Sequence, residues 1–129
     1  MIESEGTYIL GSNLLNGKPF WLQTTGTQAI WYDKVWKNWK IGEKSYLGSA
    51  RGANFLTSKG TGEKAEPHEV STWKYFSNGA WIASTDINIF SSNGKGKTFL
   101  LLRGHSITTW TRGGDEGGSQ MSMLLHKPY

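Results

Sequence analysis

The residues best suited to bind a ligand lie in one short stretch that is both basic and aromatic. Trp36 stands between Lys34 and Lys37 in a segment predicted to be a loop. An exposed indole can stack on a sugar ring or a nucleobase, and neighbouring ammonium groups can pair with anionic substituents. We predict a ligand-binding site here, to which Tyr46 and Arg51 of the next loop contribute.

Metal-binding and thiol chemistry find little support in the residue pattern. The chain has no cysteine, which excludes disulfides, thiolate zinc sites and cysteine nucleophiles. His68, His105 and His126 are widely spaced, and none shows a paired spacing such as His-x-x-x-His. We therefore predict no metal site and no cofactor.

Acid–base catalysis would need two carboxyl groups held at a defined separation. Asp33 with Glu43 and Asp86 with Glu69 are conceivable pairs, but nothing in their spacing fixes how far apart they lie. Solvated turn carboxylates are the more common explanation. We predict no catalytic residues and expect that the protein is not an enzyme.

Length and composition favour one small β domain with an aromatic core. The chain has 129 residues, including seven tryptophans, five tyrosines and five phenylalanines, and each buried ring can remove roughly 150–250 Å² from water. Seventeen glycines against three prolines favour many tight turns. The formal net charge of +4 allows only a weak attraction to anionic partners.

Two aromatic hairpins are predicted from a repeated spacing and two turn dipeptides. Trp31 and Trp39 lie eight positions apart, as do Trp73 and Trp81. Asn16-Gly17 and Asn78-Gly79 favour type I′ turns, because both central residues of that turn need a positive φ angle.

A turn at Asn78-Gly79 would place Phe76 opposite Trp81 and Tyr75 opposite Ile82. Large aromatic residues are highly buried on average, so we assign Trp31, Trp73 and Trp81 to the core. Trp81→Ala would then cost about 3–5 kcal/mol of stability.

The predicted fold is all-β: a single antiparallel meander of eight to ten short strands, closed into a barrel or sandwich around an aromatic core. Residues 1–112 would form this domain, and 113–129 would be a glycine-rich segment followed by a closing strand or a tail over 121–125. The polar segment 57–67 is predicted to be a long flexible loop. Short strands are possible at 46–47 and 54–56.

The pattern Tyr8, Asn16-Gly17-x-Pro-aromatic, Ile30-aromatic-aromatic and Trp39-x-Ile resembles a small aromatic-rich β module of eukaryotic proteins. The resemblance covers about residues 6–90, and many copies of that module carry cysteines that this chain lacks. Such modules are typically appended to larger extracellular or signalling proteins. The resemblance therefore implies an interaction role and supplies no catalytic residues.

The leading functional hypothesis is a non-catalytic recognition module that binds a protein surface or a glycan through exposed aromatic residues. One alternative is a weak binder of single-stranded nucleic acid, using the interleaved lysines and tryptophans at 34–40. Another is a structural subunit of a homo-oligomer that assembles through exposed aromatics and an edge strand.

The cellular location stays open between the cytoplasm and an excised extracellular module. Residues 1–5 are acidic and contain no apolar run typical of a signal peptide, and no apolar stretch approaches the length of a transmembrane helix.

Overall fold

The chain forms ten β-strands in the residues that the computed structural model describes, which are 4–85, 87–91, 98–102 and 120–124. The strands are β1 (Gly6–Leu10), β2 (Trp21–Gln23), β3 (Gln28–Asp33), β4 (Asn38–Glu43), β5 (Ala53–Leu56), β6 (Trp73–Ser77), β7 (Ala80–Ser84), β8 (Ile87–Ser91), β9 (Thr98–Leu102) and β10 (Gln120–Leu124). Three short 3₁₀ helices occupy Lys44–Tyr46, Thr61–Glu63 and Pro67–Glu69. No α-helix occurs in this part of the chain, so the all-β prediction is confirmed.

The strands form one sheet in the order β7-β6-β5-β4-β3-β2-β1-β10-β9-β8. From β1 to β7 each strand pairs antiparallel with the next, which confirms a seven-strand meander. β10 pairs antiparallel with β1 and parallel with β9. Among the described strands β7 and β8 stand at opposite ends of the order, so closure into a barrel or sandwich is still only a prediction.

Both Asn-Gly dipeptides form the predicted turns. Asn16 and Gly17 have φ angles of 55° and 86°, and Asn78 and Gly79 have 50° and 80°. Positive φ at both central residues defines the type I′ turn, whose twist matches that of the flanking strands. In the second hairpin this turn sets the predicted pairing, with Phe76 opposite Trp81 and Tyr75 opposite Ile82.

The aromatic core lies on one face of the meander. Trp39 is its centre: the ring lies 6.0 Å from the Trp21 ring and 5.6 Å from the Tyr32 ring, both measured between centroids. Its Nε1 also donates a 2.7 Å hydrogen bond to the Ala65 carbonyl. The other buried members of the cluster are Tyr8, Ile30, Ile41, Phe55, Val70, Trp73, Ile87 and Ile89.

The opposite face of the first hairpin is also covered. Trp31 points there and is fully buried, and its Nε1 donates a 2.9 Å hydrogen bond to the Ser49 carbonyl. Asn16 Nδ2 donates to the carbonyls of Tyr32 and Gly48, which ties the first turn to the segment between β4 and β5. The predicted short strand at 46–47 is wrong, because Lys44–Tyr46 is a 3₁₀ helix within this covering segment.

A polar network is buried on the face that carries Trp31. Lys40 Nζ lies 3.1 Å from Asp33 Oδ2, and both side chains are almost fully buried. Lys40 also donates a 2.9 Å hydrogen bond to Asn38 Oδ1, while Asn38 Nδ2 donates to the Thr57 carbonyl. The charges are thus paired with each other and with amide and carbonyl groups, as buried charges must be.

Segment 57–67, predicted as a flexible loop, is held against the turn between β3 and β4. The Thr57 hydroxyl accepts a hydrogen bond from the Trp39 N–H, and the Thr57 N–H donates to the Trp39 carbonyl. Gly62 and Pro67 are buried. The polar composition suggested mobility because it did not reveal these backbone partners.

Parts of the predicted C-terminal organisation lie outside the described residues. These are the boundary at 112/113, the glycine-rich stretch 113–118, and the predicted strand over 107–111. Within the described part, β10 is a strand of the sheet between β1 and β9.

Candidate functional site

The predicted binding segment is the four-residue turn 34–37, which joins β3 to β4. Asp33 and Asn38 form the last strand pair before it, and Asp33 Oδ1 accepts a 2.9 Å hydrogen bond from the Val35 N–H. The side chains within the turn do not take part in the packing of the strands. Trp36 is 48% exposed, in contrast to the fully buried Trp31 only five positions earlier.

The backbone of this turn is fixed from outside by residues 60–62. Gly60 N–H donates to the Trp36 carbonyl at 3.0 Å, and Gly62 N–H donates to the Lys37 carbonyl at 2.8 Å. A Cβ atom at Gly62 would meet the Tyr32 ring at 2.6 Å and the Lys37 carbonyl at 3.2 Å. Glycine is therefore required for this close approach, which anchors the turn before any ligand arrives.

The turn carries a cluster of positive charges. Lys59 Nζ lies 5.4 Å from the centroid of the Trp36 ring, within the range of a cation–π contact. Lys37 Nζ pairs with Glu63 Oε2 at 3.3 Å, and Lys34 is exposed in the same turn. We define the basic turn surface as Lys34, Trp36, Lys37 and Lys59.

Lys37 has a φ angle of 56°, in the left-handed region that glycine or asparagine usually occupies. A lysine there costs about 1 kcal/mol relative to a relaxed backbone. Its side chain is half-exposed and bridges the turn to Glu63. Asn16 and Asn78 have similar φ angles in their turns, so the conformation of Lys37 follows from the geometry of the turn.

The five predicted site residues do not lie together. Lys34, Trp36 and Lys37 share the turn before β4, whereas Tyr46 and Arg51 lie in the segment after it. Tyr46 packs beside Gly52, where a Cβ atom would meet its ring. In the described residues no hydrogen bond, ion pair or ring contact joins Tyr46 or Arg51 to the turn.

Sequence reasoning missed Lys59, which is distant in sequence from Trp36. The only local signal was the Lys59-Gly60 pair in the polar segment 57–67, and nothing in that pattern shows that the segment returns to the turn. The sequence also suggested that Trp39 and Lys40 extend the basic aromatic surface. Both are almost fully buried, so they cannot contact a ligand there.

A second exposed aromatic surface lies on the hairpin of β6 and β7. Phe76 is 56% exposed and Trp81 40% exposed, and their rings meet edge to face with centroids 5.3 Å apart. Tyr75 and Ile82 are exposed on the other face of the same hairpin. The assignment of Trp81 to the core is therefore wrong, whereas the assignments of Trp31 and Trp73 are confirmed.

The sequence held a signal for this correction. Tyr75 and Phe76 are consecutive, as are Trp81 and Ile82. Since adjacent strand residues point to opposite faces, a hairpin with one buried face must leave one member of each pair outside. The hairpin stands at the end of the sheet, so even its core-side residues beyond Trp73 are only partly covered.

The other titratable residues do not assemble into a reactive cluster. Asp33 is paired with Lys40, and Glu43 is at the far end of the same hairpin, opposite Gln28. His68 Nδ1 is 3.8 Å from Glu66 Oε1 on the surface. In the described ranges no group of three His, Cys, Asp or Glu side chains has the geometry to hold a metal ion. Asp86, His105 and His126 lie outside those ranges.

Two tyrosines of the fold have raised pKa values. Burial raises the pKa of Tyr8 well above its ordinary value. Burial also raises the pKa of Tyr32, and the nearby Glu63 carboxylate adds to the increase. Both phenols are therefore neutral at physiological pH; Tyr8 donates a hydrogen bond to the Ser4 carbonyl, and the Tyr32 ring packs against Trp39.

A shallow depression is lined by Leu10, Gly11, Ser12, Asn13, Leu14 and Pro19. It contains no ionisable side chain and none of the predicted site residues. It adds no chemistry to the basic turn surface.

None of the helices in the described residues is long and apolar enough to cross a membrane. Comparison of the chain with known protein families, with curated proteins and with solved structures finds no match.

Proposed function

We propose that this protein is a non-catalytic recognition module whose basic turn surface binds a glycan that carries anionic groups. The observation behind the proposal is Trp36: it is half-exposed in an anchored turn, with three lysines around it. A sugar ring would lie on the indole face not occupied by Lys59. The lysine ammonium groups would pair with carboxylate or sulfate substituents.

The fixed geometry of the turn favours binding. A ligand that meets a preorganised surface does not have to order the backbone first, and that saved entropy contributes to affinity. The Gly60 and Gly62 hydrogen bonds provide this order. The resemblance to appended aromatic β modules supports an interaction role, and for such a module a protein surface is the other class of ligand.

Single-stranded nucleic acid is the runner-up for the same surface, because a base could replace the sugar ring on Trp36. Nucleic-acid binding draws on several stacked bases and a track of phosphate contacts. The burial of Trp39 and Lys40 shortens the available surface to one exposed tryptophan and three lysines. This favours a compact ligand over an extended strand.

The proposal is tested by titrating the protein with a short heparin-derived oligosaccharide and following tryptophan fluorescence and heat of binding. Trp36→Ala should lower the affinity at least fivefold, since a stacked ring contributes about 1–3 kcal/mol, and leave the melting temperature nearly unchanged. Trp81→Ala is the matched control because Trp81 is similarly exposed on another surface. Equal affinities for wild type and Trp36→Ala would reject the site.

The nucleic-acid alternative is separated by ligand and by salt. A thymidine oligonucleotide that competes with the oligosaccharide, and whose affinity falls steeply with salt, would favour that alternative. Glycan binding should retain a stacking contribution that salt does not screen. Salt should weaken the binding of both ligands because both are highly charged, so the expected result is weak binding of the oligonucleotide and residual binding of the oligosaccharide at high salt.

Lys37→Gly separates ligand binding from folding at one position. Glycine relieves the positive φ angle, which offsets the loss of the exposed Lys37–Glu63 ion pair. We expect the unfolding free energy to stay within about 1 kcal/mol of wild type while oligosaccharide affinity falls. A variant that binds as tightly as wild type would remove Lys37 from the site.

A further inference from the structure

We propose that β7 is a self-complementary edge strand through which two copies of this chain form a symmetric dimer with one continuous sheet. β7 ends the strand order, and β6 is its partner among the described strands. This inference is independent of the glycan-binding proposal, because it concerns a different surface.

The edge lacks the devices that usually prevent strand-to-strand association. Natural edge strands carry charges, prolines or bulges that block a further strand. Residues 80–84 include no charged residue and no proline, and they pair with β6 in regular register over five residue pairs. Both faces beside the edge are apolar, with Trp81 on one and Ile82 on the other.

The type I′ turn fixes which backbone groups are available at the edge. In such a hairpin the pair that closes the turn, Ser77 with Ala80, is hydrogen-bonded, and bonded and non-bonded pairs alternate from there. Ile82 therefore directs its N–H and C=O towards β6. Trp81 and Ala83 direct theirs outwards, where a second strand would pair.

A two-fold axis at Ile82 satisfies these groups with an identical strand. It places Trp81 opposite Ala83 of the second copy as a hydrogen-bonded pair, and the same pair recurs by symmetry. Ile82 faces its own counterpart as a non-bonded pair, as its inward-pointing groups require. The large Trp81 ring therefore lies next to the smallest side chain on the facing strand.

The side chains in this register also bring a cation towards an aromatic ring. On β6, Lys74 pairs with Ala83, so in the dimer Lys74 of the second copy reaches across the short Ala83 towards the Trp81 ring. An ammonium over an indole is the most favourable cation–π pair. On the other face Tyr75 and Ile82 meet their counterparts, which gives a continuous apolar row. Two uncharged strands meet there without repulsion, and this identifies a second copy as the occupant.

Sedimentation velocity over a wide concentration range tests the dimer. The wild type should pass from monomer to twice the monomer mass as concentration rises. Ala83→Pro removes an outward N–H that the β6–β7 pairing does not use, a position where an edge strand tolerates proline. It should remain monomeric, whereas the matched Ala83→Ser control should dimerise like wild type. A wild type that stays monomeric throughout, or an Ala83→Pro variant that dimerises normally, would overturn the proposal.

A charge swap tests the register even if the proline variant does not fold. Trp81→Lys places an ammonium beside Lys74 of the second copy and should abolish the dimer. Adding Lys74→Glu to that variant should restore it, because the same two positions then attract. Failure of the double variant to dimerise while Trp81→Lys alone still does would show that these positions do not meet.

Discussion

The buried Asp33–Lys40 pair is a contact whose loss should strongly destabilise the fold. Each charge lies outside water, and its cost is offset only by the other charge and by the hydrogen bonds of Asn38 and Val35. Lys40→Met would leave the Asp33 carboxylate buried without its cation. We expect a loss of about 3–5 kcal/mol in the free energy of unfolding, measured by urea denaturation.

A double variant that removes both charges tests whether the loss of stability comes from the unpaired carboxylate. Asp33→Asn added to Lys40→Met removes both charges and retains an oxygen to accept the Val35 N–H. Most of the lost stability should return, because a buried pair replaced by neutral groups is often tolerated. If Lys40→Met alone costs less than about 1 kcal/mol, the ammonium is solvated and the pair is not a structural requirement.

Ionisation of Tyr8 should lower the stability of the folded protein in alkali. Its hydroxyl donates a 2.7 Å hydrogen bond to the Ser4 carbonyl, and burial raises its pKa, as it does for Tyr32. The folded state thus holds these protons above the unfolded pKa of about 10. Their contribution to stability is complete below that pH and is lost as pH rises through the folded pKa values.

Tyr8→Phe provides the comparison for this pH dependence. At neutral pH it should cost about 1 kcal/mol through the missing hydrogen bond. Above pH ~10 the variant lacks one ionisable phenol, so its melting temperature should decline less steeply and the two curves should converge. Parallel curves for the variant and the wild type would show that Tyr8 ionises alike in both states.

The two tryptophans of the second hairpin should respond very differently to truncation. Trp73 is fully buried in the core cluster, and Trp73→Ala should cost about 3–5 kcal/mol. Trp81 lies outside the core, and its main contact is the edge-to-face packing against the Phe76 ring. Trp81→Ala should cost about 1 kcal/mol. Urea denaturation at a concentration where the protein is monomeric measures both, and equal losses would contradict the observed burial.

Local signals in the sequence were enough to predict the elements and much of their pairing. Asn78-Gly79 set the register of β6 and β7, and the strand positions of Trp31 and Trp73 correctly predicted their burial. Trp81 was misassigned because burial depends on the neighbours a strand has. Its place at the end of the sheet is a property of the strand order, which aromatic spacing does not encode.

Only the part of the candidate site that is local in sequence could be predicted. Trp36 stood out because lysines flank it within one turn, and that composition is local. Lys59 reaches Trp36 only through the hydrogen bonds of Gly60 and Gly62, and Tyr46 and Arg51 lie beyond the far end of β4. Contacts between distant segments depend on tertiary packing. For this reason the sequence led us to group Tyr46 and Arg51 with the turn, although the fold separates them. For the same reason it did not reveal Lys59, which the fold brings to the turn.

The two surfaces proposed above, the basic turn surface and the edge of β7, are separated within one sheet. β4, which follows the basic turn surface, is three strands from β7, or about 14 Å at ordinary strand spacing. A symmetric dimer through β7 would leave both basic turn surfaces free. It would place the two β4 strands about 34 Å apart, seven strand spacings, with the two turns at opposite ends of the sheet, because strands related by this two-fold axis run antiparallel.

Such a dimer predicts avidity without any change in the individual site. On a surface coated with long, flexible glycan chains that can reach both ends of the sheet, wild type should dissociate at least tenfold more slowly than Ala83→Pro, because rebinding of the second site is intramolecular. With a short soluble oligosaccharide, the two proteins should have equal affinities per chain. Equal dissociation from the coated surface, in samples whose dimer and monomer states are established by sedimentation, would mean that the two turns cannot engage one surface together. Trp36→Ala should bind both forms of the ligand at least fivefold more weakly while remaining dimeric, which separates assembly from recognition.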